Sequence, residues 1–125
     1  MILGVGTDLV CQDRIGRSWE RFGERFAHRI LTSSEWQRMQ TSRRPVNVLA
    51  KCFAAKEAVA KALGTGLGQG VGWRQIELQR TSSGQPLVVL NGEALQRLRA
   101  LGASRVLVSL SDERNYVLAF AVLAS

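Results

Sequence analysis

With 125 residues, 46% of them apolar, the chain can bury one core without disulfide or metal staples, and no stretch is apolar for the length of a bilayer crossing. Its two cysteines, Cys11 and Cys52, lack metal-ligand spacing, which argues against a disulfide scaffold and suits a reduced, cytoplasmic setting. Seventeen basic residues against ten acidic give +7, and fourteen of the seventeen are arginine, so an anionic partner is expected: a nucleotide, a nucleic acid, an acidic protein or a membrane surface.

No repeat, low-complexity tract or linker interrupts residues 1–125, so a single domain is expected. The opening MILGVGTDLV carries no basic residue before its apolar run and does not read as a secretory signal. Residues 2–8 read as a buried first strand, with glycines where something packs closely. From about Asp13 to Arg29, Ile15, Trp19, Phe22 and Phe26 recur every three or four residues, which predicts one amphipathic helix. On that helix Arg14, Arg17, Arg21, Arg25 and Arg29 would share a face, with Glu20 and Glu24 able to neutralise only part of it. A solvated face accounts for such a stripe. So does an anionic partner, since like charges at this spacing repel on an isolated helix. His28 is the only histidine and sits beside the stripe as a surface or helix-end residue, which argues against a histidine triad or a zinc site.

Ser33 and Ser34 are placed to cap a second helix, SSEWQRMQ. Pro45 opens a third helix that runs to about Leu63 and is closed by Gly64. Residues 64–73, GTGLGQGVGW, form a glycine-rich loop. IELQR and PLVVL make a hairpin about a Ser-Ser-Gly-Gln turn; EALQRLRALG is a short helix after Asn91-Gly92; RVLVSLS and YVLAFAVLA pair through a turn at Asp112–Asn115. The class is α+β, helices packed on a mainly antiparallel sheet.

Two carboxylates stand out. Asp8 ends the first strand and Glu57 lies mid-helix among alanines, four residues before Lys61. Glu57 and Lys61 could form a plain ion pair along the helix. Alternatively, Asp8 and Glu57 face one space, where they repel unless a divalent cation lies between them. Magnesium shared with a bound phosphate suits oxygen ligands; Lys61 would neutralise further charge, and Gly64, Thr65 and Gly66 would admit a ligand close to backbone. The loop satisfies no P-loop pattern, because its glycines follow the helix instead of opening it.

The segments GTDLV (6–10) and FAAKEAVAKALGTG (53–66), some forty-five residues apart, resemble the two motifs of the holo-acyl carrier protein synthases, the small phosphopantetheinyl transferases of bacterial fatty-acid synthesis. The similarity extends through the arginine helix, the SSEW segment, the SGQP turn and the last hairpin, nearly the whole chain. It implies a phosphopantetheinyl transferase-like fold and transfer of 4′-phosphopantetheine from coenzyme A to a serine of apo-acyl carrier protein, releasing adenosine 3′,5′-bisphosphate. By resemblance Asp8 and Glu57 hold magnesium, Glu57 helps deprotonate the serine, and Lys61 stabilises charge on the attacked phosphate. Coenzyme A would meet Lys61, Gly64, Thr65, Gly66, Arg43, Arg44, Lys51 and Pro86, and the acidic carrier protein would meet Arg14, Arg21, Arg25, Phe26 and Arg29. The family is also expected to be cytoplasmic and homotrimeric, with sites between subunits and no membrane or nucleic-acid partner.

This chain departs from the pattern twice. Many relatives have arginine where Cys52 stands, and Lys51, Arg43 or Arg44 are candidates to replace that charge. Some have histidine in place of Asp112, which here reads as a turn residue. Two other readings compete: a small basic nucleic-acid-binding module, and a non-catalytic relative that binds coenzyme A or carrier protein only. The first leaves Asp8, Glu57 and the glycine loop without a purpose and puts Trp19, Phe22 and Phe26 at core spacing instead of on an exposed stacking sheet. The intact acidic pair argues against the second.

Overall fold

A computed structural model describes residues 1–125. The chain starts with strand β1 (Ile2–Cys11), whose alternation ends in Val10, buried, and Asp8, half-buried. Helices α1 (Gln12–Phe22) and α2 (Glu24–Ile30) follow. The single helix expected over 13–29 is therefore two. Gly23 adopts φ 60 and ψ −142, a conformation closed to most side chains, and ends the first helix by donating to the Trp19 carbonyl. The apolar spacing carries across this break, which is why it read as continuous. Phe22 is the casualty of that reading: it is 54% exposed instead of core.

Helix α3 (Ser33–Thr41) is capped by Thr32, not by Ser33 or Ser34. Thr32 and Glu35 form a reciprocal capping box, the hydroxyl accepting from the Glu35 N–H and the Glu35 carboxylate accepting from the Thr32 N–H. Helix α4 (Pro45–Ala62) starts at a proline that has no N–H to orphan. Its alanines Ala54, Ala55, Ala58 and Ala62 are buried. Side chains that end at Cβ let a strand come closer than leucine would, and β1 opposite exploits this. A Cβ on Gly4 would lie 2.3 Å from the Ala62 carbonyl oxygen, and one on Gly6 only 2.1 Å from that of Ala58. Backbone meets backbone here, so β1 and α4 are fixed at the closest approach the chain allows.

The hairpin β2 (Ile76–Arg80) and β3 (Pro86–Leu90) forms as expected, followed by α5 (Gly92–Ala100). Strands β4 (Arg105–Glu113) and β5 (Tyr116–Ala124) pair through Arg114–Asn115. The turn is thus shorter than predicted, and Asp112 is a strand residue, not a turn residue. The main sheet has the antiparallel order β1-β5-β4. On its inner face Val117, Ala119, Ala121 and Leu123 are buried, and the core joins them to α4 in one cluster of 27 residues. On the outer face Val5, Leu9, Leu107, Tyr116, Leu118 and Phe120 are exposed, with Leu9 paired to Leu118 across the strands. No helix is long and apolar enough to cross a membrane.

One buried ion pair ties the pieces together. Lys56 is fully buried and its Nζ donates to Glu35 Oε1 (2.7 Å) and to the carbonyls of Trp73 (3.0 Å) and Ile76 (2.6 Å). Glu35, also fully buried, accepts from the Leu78 N–H through Oε2 at 2.7 Å. All three ammonium protons and both carboxylate oxygens are used, the condition under which a buried pair is tolerated.

Candidate functional site

The close approach of β1 to α4 decides what happens two residues past Gly6. Asp8 comes to lie beside Glu57 and Lys61, and the three line one cleft of about 300 Å³ whose wall includes Leu9, Phe53 and Ile15 and whose rim carries Arg14. The helical spacing of Phe53, Glu57 and Lys61 puts all three on the face of α4 that looks into it. Lys61 Nζ donates to Asp8 Oδ1 at 3.2 Å and to the Thr7 carbonyl at 2.9 Å. Lys61 is thus tied to Asp8, not paired with Glu57 along the helix.

Asp8 Oδ2 is buried and has no hydrogen-bond partner. Burial pushes the Asp8 carboxyl above its ordinary value, against the pull of Lys61. Glu57 is raised too, first by burial and then by the Asp8 charge, with Lys61 opposing. Two desolvated carboxylates, the second raised further by the charge of the first, and one oxygen left over describe a place short of positive charge. No three of the chain's His, Cys, Asp and Glu side chains gather into a metal-holding cluster. The donors on offer are therefore two carboxylates and nothing softer, which fits a hard cation that keeps positions for water or phosphate oxygen and does not fit zinc.

The other expected residues fall elsewhere. Gly64 and Gly66 take positive φ (80 and 59) and, with Thr65, turn their N–H groups back onto the end of α4: Gly64 to the Lys61 carbonyl, Thr65 and Gly66 to that of Ala60. These donors cap the helix and are spent within the chain. Arg43 and Arg44 are exposed ahead of α4, Pro86 begins β3, and Lys51 lies 3.7 Å from Asp112; none lines the carboxylate cleft. Of the stripe, Arg14, Arg17 and Arg21 are on α1, and Arg25 and Arg29 on α2. None of the five forms an ion pair: Glu24 faces His28 instead, at 4.0 Å, and Arg21 lies over the Phe22 ring at 5.2 Å. Phe26 is half-buried against the core.

Sequence reasoning missed two supports. Asn115, in the β4–β5 turn, accepts from the Asp13 N–H through its side chain and from the Gln12 N–H through its carbonyl, so a distant turn caps the helix that presents Arg14. Asp112 accepts from Asn47 Nδ2 at 2.9 Å, which holds its carboxyl below the usual range and fastens β4 to the start of α4. Neither has a local sequence signal, because both partners are more than sixty residues away.

Comparison with known proteins agrees with this geometry. Residues 4–121 match the sequence model of the 4′-phosphopantetheinyl transferase superfamily. A holo-acyl-carrier-protein synthase of Nitrosococcus oceani is 49% identical over 98% of this chain and 80% of its own length. The crystal structure of the synthase from Neisseria meningitidis superimposes with a TM-score of 0.92 at 47% identity, covering 100% of both chains. That of Helicobacter pylori, in complex with coenzyme A, does so with a TM-score of 0.84 at 27% identity, over 96% of this chain and 99% of that one.

Proposed function

Because the chain belongs to the 4′-phosphopantetheinyl transferase superfamily, and within it to the holo-acyl carrier protein synthases, we propose that Asp8, Glu57 and Lys61 carry a magnesium-dependent transfer of 4′-phosphopantetheine. The donor is coenzyme A, the acceptor a serine of an apo-acyl carrier protein, and the leaving group adenosine 3′,5′-bisphosphate. The product supports fatty-acid biosynthesis in the cytoplasm, and residues 1–125 act as one transferase domain.

The observation that carries the reading is the unpartnered, buried Asp8 Oδ2 beside Glu57 and Lys61. Asp8 and Glu57 would hold the magnesium ion, which supplies charge neutralisation for the pyrophosphate of the donor. Glu57, with its proton affinity raised by burial and by Asp8, accepts the serine proton as the serine oxygen bonds to phosphorus and the phosphoanhydride bond breaks. Lys61, half-exposed and already oriented by Thr7 and Asp8, balances charge on the phosphoryl oxygens. Phosphoryl transfer asks mainly for positioning and charge cancellation, which these three side chains can provide. Arg14 at the rim places the start of the arginine surface next to the chemistry; Arg21, Arg25 and Arg29 extend it toward an acidic carrier protein, with exposed Phe22 beside them and Phe26 only in part available.

The apolar outer sheet face supports a homotrimer with sites between subunits. Exposed apolar side chains gathered on one face mark an interaction surface, and here Tyr116 and Phe120 stand with Val5, Leu9, Leu107 and Leu118. That setting favours packing against copies of itself over stacking on nucleic-acid bases. Coenzyme A contacts by Gly64–Gly66, Arg43, Arg44, Lys51 and Pro86, none of which lines the carboxylate cleft of its own chain, fit a donor that lies across two subunits.

The test is intact-mass analysis of an apo-acyl carrier protein incubated with this protein, coenzyme A and magnesium. One added phosphopantetheine is expected, abolished by chelation and reduced by roughly 100-fold or more in rate by Glu57→Gln. Full turnover by Glu57→Gln would remove that residue from the chemistry.

A further inference from the structure

Helix α5 contributes no side chain to the carboxylate cleft, yet the glycine loop is fastened to it at both ends. At the near end Arg97 Nε donates to the Leu63 carbonyl at 2.9 Å, and Arg97 Nη2 lies 3.4 Å from where a Cβ on Gly64 would stand. The loop's own N–H groups, from Gly64, Thr65 and Gly66, turn back to Lys61 and Ala60 and leave this carbonyl to α5. At the far end Gln75 Nε2 donates to the Gly70 carbonyl at 3.0 Å, while Gln75 Oε1 accepts from the Ala94 N–H at 3.0 Å. One amide side chain thus joins the loop to the first turn of α5. Glu93 closes over the same point, its Cγ 3.2 Å from where a Cβ on Gly70 would stand.

Glu93 and Arg97 are four residues apart on α5, the spacing at which a Glu–Arg pair forms along an exposed helix. They form none, and each is turned to a different end of the loop. Between these anchors Leu67 packs on the core, and Gly66 and Gly68 meet nothing within 4 Å of where a side chain would stand. The loop is held from behind and bare in front, the arrangement that lets a ligand lie against backbone on a rigid support.

We propose that Arg97 is a positioning residue for the donor: through the Leu63 carbonyl it holds Gly64–Gly66 where coenzyme A meets them, three residues past Lys61, without touching coenzyme A itself. The identity of the donor rests on the transfer reaction above. Asp8, Glu57 and the arginine face for the carrier protein stand on β1, α4, α1 and α2, so they keep their places when Arg97 changes.

The test pairs residue-resolved hydrogen exchange with calorimetric titration of coenzyme A. Arg97→Met, an exposed change, should speed exchange of the Gly64, Thr65 and Gly66 amides in the ligand-free protein by roughly tenfold and leave the middle of α4 protected. Coenzyme A should bind roughly tenfold more weakly and its KM should rise with it, while kcat and KM for the carrier protein stay within about twofold. Arg97→Lys, which keeps a charged donor for the carbonyl, should restore both readouts. Faster exchange with unchanged coenzyme A affinity would reduce Arg97 to a plain helix cap, and weaker affinity with unchanged exchange would make it a direct contact; either result overturns the proposal. Wild-type protein that binds coenzyme A yet transfers nothing would sink the reaction, and the same two measurements would still decide Arg97.

Discussion

Asp8 has one oxygen more than its surroundings can use. Oδ1 is served by Lys61, and Oδ2 is buried without a donor, so the ionised side chain costs the fold something that a cation would return. The signs follow from the raised carboxyls. A folded-state pKa above the unfolded one means that the native chain holds protons more tightly, so the contribution of Asp8 and Glu57 to stability is fully present below the ordinary carboxylate range and is lost as pH rises through their raised values, opposite in sign to that of a lowered carboxyl such as Asp112. Asp8→Asn should therefore leave the metal-free Tm unchanged or higher, while removing the rise that magnesium gives the wild type. Melting curves with and without magnesium check this, and a drop of many degrees in the metal-free variant would mean that Asp8 is structural. Asp8 and Glu57 were legible in sequence because their motifs are short and local. The burial of Lys56 was not legible: it is five residues from Lys61 on one helix, yet Lys56 is sealed against Glu35 while Lys61 stands half in solvent. What packs against each face of α4 makes that difference, and it comes from residues far along the chain.

Elements are joined here by charge as well as by apolar packing. Lys56→Met would leave Glu35 buried and unpaired and two carbonyls without a donor, a loss of about 3–5 kcal/mol, measurable by urea unfolding. Adding Glu35→Leu to it should recover part of the loss, since a paired apolar replacement leaves no orphan charge. The neighbouring Glu77 on β2 accepts from Thr32, Gln79 and Ser34, which holds its carboxyl below the ordinary 4.5. Its contribution is present above that value and is lost as pH falls through the lowered one. Glu77→Gln should accordingly flatten the fall of Tm between neutral and acid pH; an unchanged slope would deny Glu77 this role. Both hairpins, α4 and α5 were readable because pattern and punctuation agreed. Two details were not taken from the sequence although they were written in it: Thr32-x-x-Glu35 is a capping box, and Gly23 interrupts a periodicity that spacing alone carries through.

At the scale of the molecule, the polar chemistry lies on one side of α4 and the bare apolar sheet on the other. Leu118→Glu or Phe120→Glu, changes on a face already exposed in the single chain, should leave the fold intact and, in the homotrimer proposed above, split it to monomers, as sedimentation would show. Turnover should fall with it if coenzyme A spans two subunits, and survival of full activity in a monomer would refute shared sites. Arg21→Glu should raise KM for the carrier protein by about tenfold, less so at high salt, with little effect on coenzyme A. The outer face could not be read from sequence, since Tyr116, Leu118 and Phe120 alternate with Val117, Ala119 and Ala121 in a strand that is apolar on both sides.

The seam between β1 and α4 has a mechanical consequence. Where Gly4 and Gly6 press on the carbonyls of Ala62 and Ala58, there is no side chain to repack and almost no void to close. Pressure acts on proteins mainly through such voids, so this seam should be the least compressible part of the molecule. Squeezed to a kilobar or so, the helices around Gly23 would shift first. The gap between Asp8 and Glu57 would hold its width until the chain came apart.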